Sequence, residues 1–188
     1  YTFPEACAHE MHAAFAAYMR VIRYAQRIST ISASVADDLR GFANSSKGLG
    51  LSPPSVRAQL LPVHAHEVST AEINQARAAL VGVPGIPMVL SVSSIEPRKN
   101  QITILTAAER LWREGQAFQL VFIAGSGWKR EVFDQQLNRA KDRGRPVQVI
   151  SEASESTLWA AYHLARFSVF VSFTEGFGLP AAEAIAAG

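Results

Sequence analysis

Residues 172–188 read S-F-T-E-G-F-G-L-P-A-A-E-A-I-A-A-G. The apolar run 167–173 leads into them as a buried strand ending at Thr174-Glu175, and Pro180 has the character of a first helical residue, which predicts a helix over 180–187. Between the two, Gly176-Phe177-Gly178-Leu179 lets the backbone approach a ligand closely, while the helix offers free N–H groups and the positive end of its dipole. That corner suits an anion. Glu175 at the strand's carboxyl end and Glu183 in the first helical turn are expected on one edge of the sheet, facing one crevice, where carboxylates accept hydrogen bonds from sugar hydroxyls. Taken alone, either glutamate reads as structural. An acid in a first helical turn is stabilising by roughly 0.3–1 kcal/mol without any ligand, and Gly-x-Gly is common at tight turns.

The chain before this corner alternates regularly. Strands are predicted over 88–92, 118–124, 147–150 and 168–173, and helices over 101–113, 130–143 and 155–165. Continuous Val, Ile, Leu and Phe in strands separated by such helices indicate parallel pairing with helices on both faces, a doubly wound α/β domain. Right-handed crossovers put every strand's carboxyl end on one edge, so function is sought just after each strand. After the first strand comes Ser93-Ser94-Ile95-Glu96-Pro97-Arg98-Lys99-Asn100. Adjacent cations at a helix entrance oppose its dipole unless an anion lies between them; a solvated basic pair is the competing explanation. The second loop is Gly125-Ser126-Gly127-Trp128, the third begins at Ser151, and the fourth is the Glu175 corner. No G-x-G-x-x-G opens a helix after the first strand, which counts against a dinucleotide oxidoreductase, and Ser126 lacks the G-x-S-x-G context of a hydrolase nucleophile. With no D-x-D and no His, Cys and acidic residues at ligand spacing, no metal site is expected.

The N-terminal part is less regular. Residues 5–27 carry Met11, Phe15, Tyr18, Ile22 and Ala25 at helical spacing, which predicts an amphipathic helix packed on a core. His9 and His12 within it miss the H-E-x-x-H spacing and read as surface histidines. A strand over 27–32, a helix over 35–42 with Ser34 as N-cap, a loop over 44–54 and a strand over 57–61 follow. His64 and His66 are two would-be ligands without a third and read as a connector. Pro84-Gly85-Ile86-Pro87 marks a domain boundary, giving a linker over 63–87.

Composition bounds the partners. The 188 residues suffice for one full domain and a piece; 48% hydrophobic and 18% charged residues describe a soluble globular protein, and a net charge of +2 implies no nucleic-acid partner. Cys7 is the only cysteine, so no intrachain disulfide forms and a reducing compartment is expected. The apolar runs are too short to span a bilayer, and no basic-then-apolar leader is seen.

The string E-G-F-G-L-P-x-x-E-A-x-A-x-G resembles the Glu-x7-Glu signature of the family-four retaining glycosyltransferases of GT-B architecture. The resemblance implies that Glu175 contacts the donor sugar together with Gly176 and Phe177. Gly178 and Leu179 then face the diphosphate, and Glu183 holds the ribose. E-P-R-K-N resembles a phosphate-gripping loop of transferases that build bacterial polysaccharides. Lys99 falls on the lysine of the pattern G-R-x-x-x-x-K-G, while Ser94 replaces its arginine and Asn100 its second glycine, leaving Arg98 as the substitute cation. Ser94, Gly125 and Ser151 would line the cleft, Ser151 near the base. Residues 28–39 resemble the end of the family's N-terminal domain. The chain then divides into 1–62, the end of a first Rossmann-like domain; 63–87, the linker; and 88–188, most of a Rossmann-like donor domain. The implied activity is metal-independent, retaining transfer of a hexose, mannose or rhamnose among the candidates, to a cell-surface polysaccharide or glycolipid. The donor is a GDP-sugar in the first place, with UDP- and dTDP-sugars as alternatives; no cofactor is needed. The acceptor is a glycan or lipid-linked, the location cytoplasmic at the inner face of the membrane with peripheral association of the whole protein, and the chain by itself is expected to be inactive. A GT-B nucleotide-sugar epimerase and a non-catalytic sugar-nucleotide binding module are the competing readings.

Overall fold

The computed structural model describes residues 9–188, with the side chains of 9–13, Ser46 and Leu49 excepted. Cys7, the beginning of the predicted first helix, and the side chains of His9, Met11 and His12 thus lie outside the described residues. The chain forms two compact units. One comprises residues up to Pro62 together with Thr174–Gly178; the other comprises Val63–Phe173 and Leu179–Gly188. No helix among the described residues is long and apolar enough to cross a membrane.

The first unit contains α1 (His9–Ile22), β1 (Arg27–Thr30), α2 (Ala33–Ser45) and β2 (Ser55–Ala58), with β1 and β2 parallel in the register Arg27 to Ser55 and Thr30 to Ala58. The ladder begins at Ser55, two residues earlier than expected, because Pro53 and Pro54 have no N–H to give and Ser55 is the first that can; it donates to the Gln26 carbonyl at 3.0 Å. β1 also ends early. The Thr30 hydroxyl turns to the Ser32 carbonyl (3.0 Å), and Ser32 Oγ accepts the Val35 N–H (3.2 Å), so the cap of α2 is Ser32 rather than Ser34. On α1 the apolar stripe is not packed as expected. Ile22 is buried, but Phe15 and Tyr18 are exposed.

The second unit contains α3 (Thr70–Leu80), β3 (Met88–Val92), α4 (Gln101–Arg113), β4 (Gln119–Ile123), α5 (Glu131–Asp142), β5 (Val147–Ile150), α6 (Glu155–Leu164), β6 (Phe167–Ser168) and α7 (Leu179–Ala186). The four strands are all parallel, in the order β5-β4-β3-β6. Alternation along each strand feeds two cores. Val89, Leu120 and Phe122 face Ile104, Trp112, Phe133 and Leu137 of α4 and α5, whereas Met88, Leu90, Val121 and Ile123 face Ala76, Leu80, Trp159 and Ala160 of α3 and α6. Phe122, 1% exposed and edge-on to Phe133 at 5.3 Å, stabilises the first of these by roughly 1.5–3 kcal/mol. Helices on both faces of a parallel sheet are the doubly wound α/β arrangement expected.

Residues 63–87 are not a linker. α3 lies inside them, started by a capping box in which Ser69 Oγ accepts the Glu72 N–H (3.3 Å) and the Glu72 carboxylate accepts the Ser69 N–H (2.9 Å), and its Ala76 and Leu80 are core residues of the second unit. The turn at 82–87 is likewise no boundary. The buried Gln119 amide accepts from Gly82 N–H (2.9 Å) and donates to the Val83 carbonyl (3.3 Å), pinning that turn to β4.

The strand expected over 168–173 is two residues long. Val169 N–H still reaches the Leu90 carbonyl (2.8 Å), but the Phe173 N–H is taken by the carbonyl of Arg98 (2.9 Å), in the loop after β3, so the chain leaves the ladder. Among the described residues β6 pairs with β3 alone, and Phe167 and Phe173, read as buried, are 56% and 58% exposed.

Candidate functional site

Strands β3, β4 and β5 succeed one another outward across the sheet, and β6 returns to the other side of β3. The strand order therefore reverses between β3 and β6, and in open α/β sheets a ligand crevice opens at such a reversal, outside the carboxyl ends of the strands. The loop after β3 and the chain after β6 flank it. They are joined through main-chain atoms by the Phe173 N–H on the Arg98 carbonyl and, more weakly, by Asn100 Nδ2 on the Val171 carbonyl (3.4 Å).

The loop after β3 is built around buried polar support. Gln101, 4% exposed, donates through Nε2 to Ser93 Oγ (2.8 Å) and to the Ser94 carbonyl (2.6 Å), which fixes Ser94 at the strand's end. Pro97–Lys99 form a 3-10 turn, and Asn100 then joins it to α4 in the left-handed region, at φ 58° and ψ 33°. Asparagine is among the few side chains that tolerate that region, which explains physically why it stands where the resembled loop has glycine. Arg98 and Lys99 are half-buried at this turn. Arg98 is not the unanswered cation the dipole argument supposed: its guanidinium meets Glu96 Oε1 at 2.6 Å, while Glu96 Oε2 accepts the indole N–H of Trp128 at 2.6 Å. Lys99 Nζ lies 5.7 Å from the Phe170 ring centroid.

Gly125 follows β4 and Ser151 follows β5, both exposed at the same sheet edge as Ser94. Gly127 is under a harder constraint. A Cβ there would stand 1.9 Å from the Ile95 carbonyl oxygen, the same oxygen that accepts the Trp128 N–H at 3.1 Å. The loops after β3 and β4 are thus in direct backbone contact.

Glu175, Gly176, Phe177 and Gly178 belong to the first unit, and Leu179 and Glu183 to the second. Gly178 has φ 85°, the left-handed geometry expected where a chain turns into a helix, and α7 starts at Leu179. Glu183 lies in the second turn of α7, not the first, so it gains little from the helix dipole, which acts within the first turn. Its carboxylate is held another way. Tyr162 Oη donates to Glu183 Oε2 at 2.9 Å from a buried position on α6. Burial and the neighbouring carboxylate push the Tyr162 phenol far up, so it stays protonated and is the donor. Sequence reasoning did not single out Tyr162, Gln101 or Glu96. Glu96 stands inside a string read only for its cations, and Tyr162 is one apolar-face residue of a helix, with no local pattern to mark it.

Among the described residues no group of three or more His, Cys, Asp or Glu side chains is gathered as metal ligands would be. In the second unit the turn after β3 brings Glu96, Arg98 and Lys99 together, with Arg98 paired to Glu96.

The family model described as "Glycosyl transferases group 1" matches residues 73–188. The chain is 29% identical over 165 residues to the serotype-specific mannosyltransferase WbdA of Escherichia coli, covering 86% of this chain and 20% of that protein. It is 33% identical over 100 residues to the O-antigen chain mannosyltransferase B of Escherichia coli, covering 53% of this chain and 26% of that one. The chain thus spans about a fifth to a quarter of the length of these relatives. In fold it is similar to Anabaena Alr3699/HepE, solved with UDP and glucose, with a TM-score of 0.69 at 15% identity over 98% of this chain and 48% of that one. It is also similar to WaaG, a glycosyltransferase involved in lipopolysaccharide biosynthesis, with a TM-score of 0.63 at 17% identity over 100% of this chain and 49% of that one.

Proposed function

The chain belongs to the group 1 glycosyl transferases, and from that premise we propose that the protein it forms part of transfers a hexose from a nucleoside diphosphate sugar to a growing polysaccharide or lipid-linked glycan, with retention and without a metal ion. Mannose is the sugar proposed, in keeping with the mannosyltransferases to which the chain is similar, and a GDP-sugar is proposed as the donor. The protein is proposed to work in the cytoplasm, at the inner face of the membrane, and to need no cofactor.

The observation that carries this reading is the Phe173 N–H to Arg98 carbonyl bond of 2.9 Å, because it holds the cation-bearing turn against the chain entering the glycine corner where the strand order reverses. When the bond from the sugar's anomeric carbon to phosphate breaks, negative charge builds on the departing diphosphate. Groups that meet this charge more strongly than they meet the bound donor lower the barrier. Arg98 does so as a fork-shaped donor to two oxygens and Lys99 as a point charge. By resemblance to the family's motif, the backbone of 177–179 is proposed to face the sugar and diphosphate, Glu175 the sugar and Glu183 the ribose. Ser94, Gly125 and Ser151 line the donor's path along the sheet edge.

The test is transfer of radiolabelled mannose from GDP-mannose to a lipid-linked or polysaccharide acceptor by the full-length protein, with the anomeric configuration of the product read by NMR and the assay repeated in EDTA. Labelled glycan of unchanged anomeric configuration, formed equally in EDTA, is the expected result. Release of an altered free nucleotide sugar would make it an epimerase, and binding without turnover a module. Within the site, Glu183→Gln weakens both nucleoside diphosphate and intact donor, whereas Glu175→Gln spares the bare diphosphate and lowers turnover. Equal weakening of the diphosphate by both variants would refute the division of roles.

A further inference from the structure

The Glu183 carboxylate does not stand in the structure as an isolated acceptor. One of its oxygens is occupied by a phenol that is packed in the core: Tyr162 is 7% exposed, its ring sits edge-on to Trp159 at 5.9 Å, and its hydroxyl lies 2.9 Å from Glu183 Oε2. The helix that carries Glu183 is only partly seated by apolar contacts, through Ala184 against the core it shares with α6. No residue of α7 is fully buried, and a cavity of about 420 Å³ lined by Val92, Tyr162, Phe170, Pro180, Ala184 and Ile185 lies beneath it. A flexible carboxylate on such a helix would have to be ordered by its ligand, at a cost in affinity that a pre-set side chain avoids.

We propose that Tyr162 is a positioning residue for nucleotide recognition: its hydroxyl holds one oxygen of Glu183 and thereby presents the other to the ribose hydroxyls of the donor. This rests on the reading that Glu183 holds the ribose. Tyr162 itself touches no substrate. It acts by fixing the carboxylate and, through it, the seat of α7 on α6. The phenol's donor character follows from its surroundings, since burial and the carboxylate both oppose its ionisation.

The experiment measures dissociation constants of the full-length protein for GDP and UDP and for the 2′,3′-dideoxy form of each, by calorimetry, in wild type, Tyr162→Phe, Glu183→Gln and the double variant. Wild type is expected to lose about ten-fold or more when the ribose hydroxyls are removed, the effect of losing a hydrogen bond to a charged acceptor. Tyr162→Phe should bind the ribose nucleotide about five-fold more weakly, with the ribose-to-dideoxy ratio falling toward one. In the double variant it should add nothing to Glu183→Gln. Tyr162→Met, which removes the hydroxyl while leaving an apolar side chain in its place, should lower the ratio in the same way and serves if Tyr162→Phe does not fold. A Tyr162→Phe protein that weakens ribose and dideoxy nucleotides equally has lost only packing, and that result overturns the proposal. If Glu183→Gln itself leaves the ratio unchanged, the ribose reading fails first and takes the proposal with it.

Discussion

Asn100 offers a test whose sign is decided by one dihedral angle. The residue joins the Arg98-Lys99 turn to α4 at φ 58°, and its side chain accepts from Thr103 Oγ1 (2.7 Å) and donates to the Val171 carbonyl (3.4 Å). Asn100→Ala and Asn100→Gly both remove those side-chain bonds, so the difference between the two variants isolates the backbone. In a helical interior alanine is the better residue by about 1 kcal/mol. In the left-handed region the order reverses, because a Cβ costs roughly 1–2 kcal/mol there and glycine has none. The structure therefore requires Asn100→Gly to be the more stable variant by about 1 kcal/mol, or about 2–4 °C in Tm for a domain of this size. The alanine variant should also bind nucleoside diphosphate less well, because the cheapest relief of its strain is to move the turn that carries the cations. Urea unfolding and calorimetry read the two effects. Alanine equal to or more stable than glycine would mean that the turn is not left-handed at Asn100, and the account of the phosphate loop would fall with it.

Arg98→Ala should weaken nucleoside diphosphate binding by roughly ten-fold, since a charge-assisted contact contributes about 1.5–3 kcal/mol and the loss of the Glu96 pair offsets part of it; equal affinity of variant and wild type in calorimetry would remove Arg98 from the site. In a thermal-shift panel GDP should stabilise the protein more than UDP or dTDP, and stabilisation by UDP alone would refute the proposed donor. Glu109 bears on stability alone: its hydrogen bonds to Arg145, then the charges of Arg145 and Arg143, hold its carboxyl below the ordinary 4.5. A depressed carboxylate stabilises fully above its unfolded pKa and loses that contribution as pH falls through the folded value, so the stability gap between wild type and Glu109→Gln should be constant above about pH 5 and close below 4.5. A gap that does not change at any pH down to the acid unfolding of the protein would assign the effect to packing.

The elements of the second unit were legible where the pattern was strong. β3, α4 and β5 have the predicted bounds, because their apolar residues repeat at the period of the element and turn residues stop them. α3 was missed through a misplaced emphasis: the Pro and Gly content of 82–87 drew attention to a boundary, while the capping box Ser69-Thr70-Ala71-Glu72 was already in the sequence. The overlong last strand has a different cause. Its residues are as apolar as any strand's, and what ends the pairing is the Arg98 carbonyl, which comes from a loop some seventy residues earlier and which no local pattern announces. The site divides in the same way. Glu183 and the cations stand in recognisable strings, but Tyr162, Gln101 and Glu96 matter through what they touch, and contacts across the fold are not written at any fixed spacing.

The carbonyl of Ile95 sets a rule for anyone who would re-engineer this sheet edge. A saturation library over 125–128 would accept side chains at Gly125, where a Cβ meets nothing within 4 Å, but would return only glycine at 127, where it would stand 1.9 Å from that oxygen. Because the obstacle is main chain, no compensating substitution at position 95 can clear it. Variation in this loop without a backbone shift is therefore confined to Gly125, Ser126 and Trp128, and codons spent on position 127 sample variants in which the loops after β3 and β4 must part.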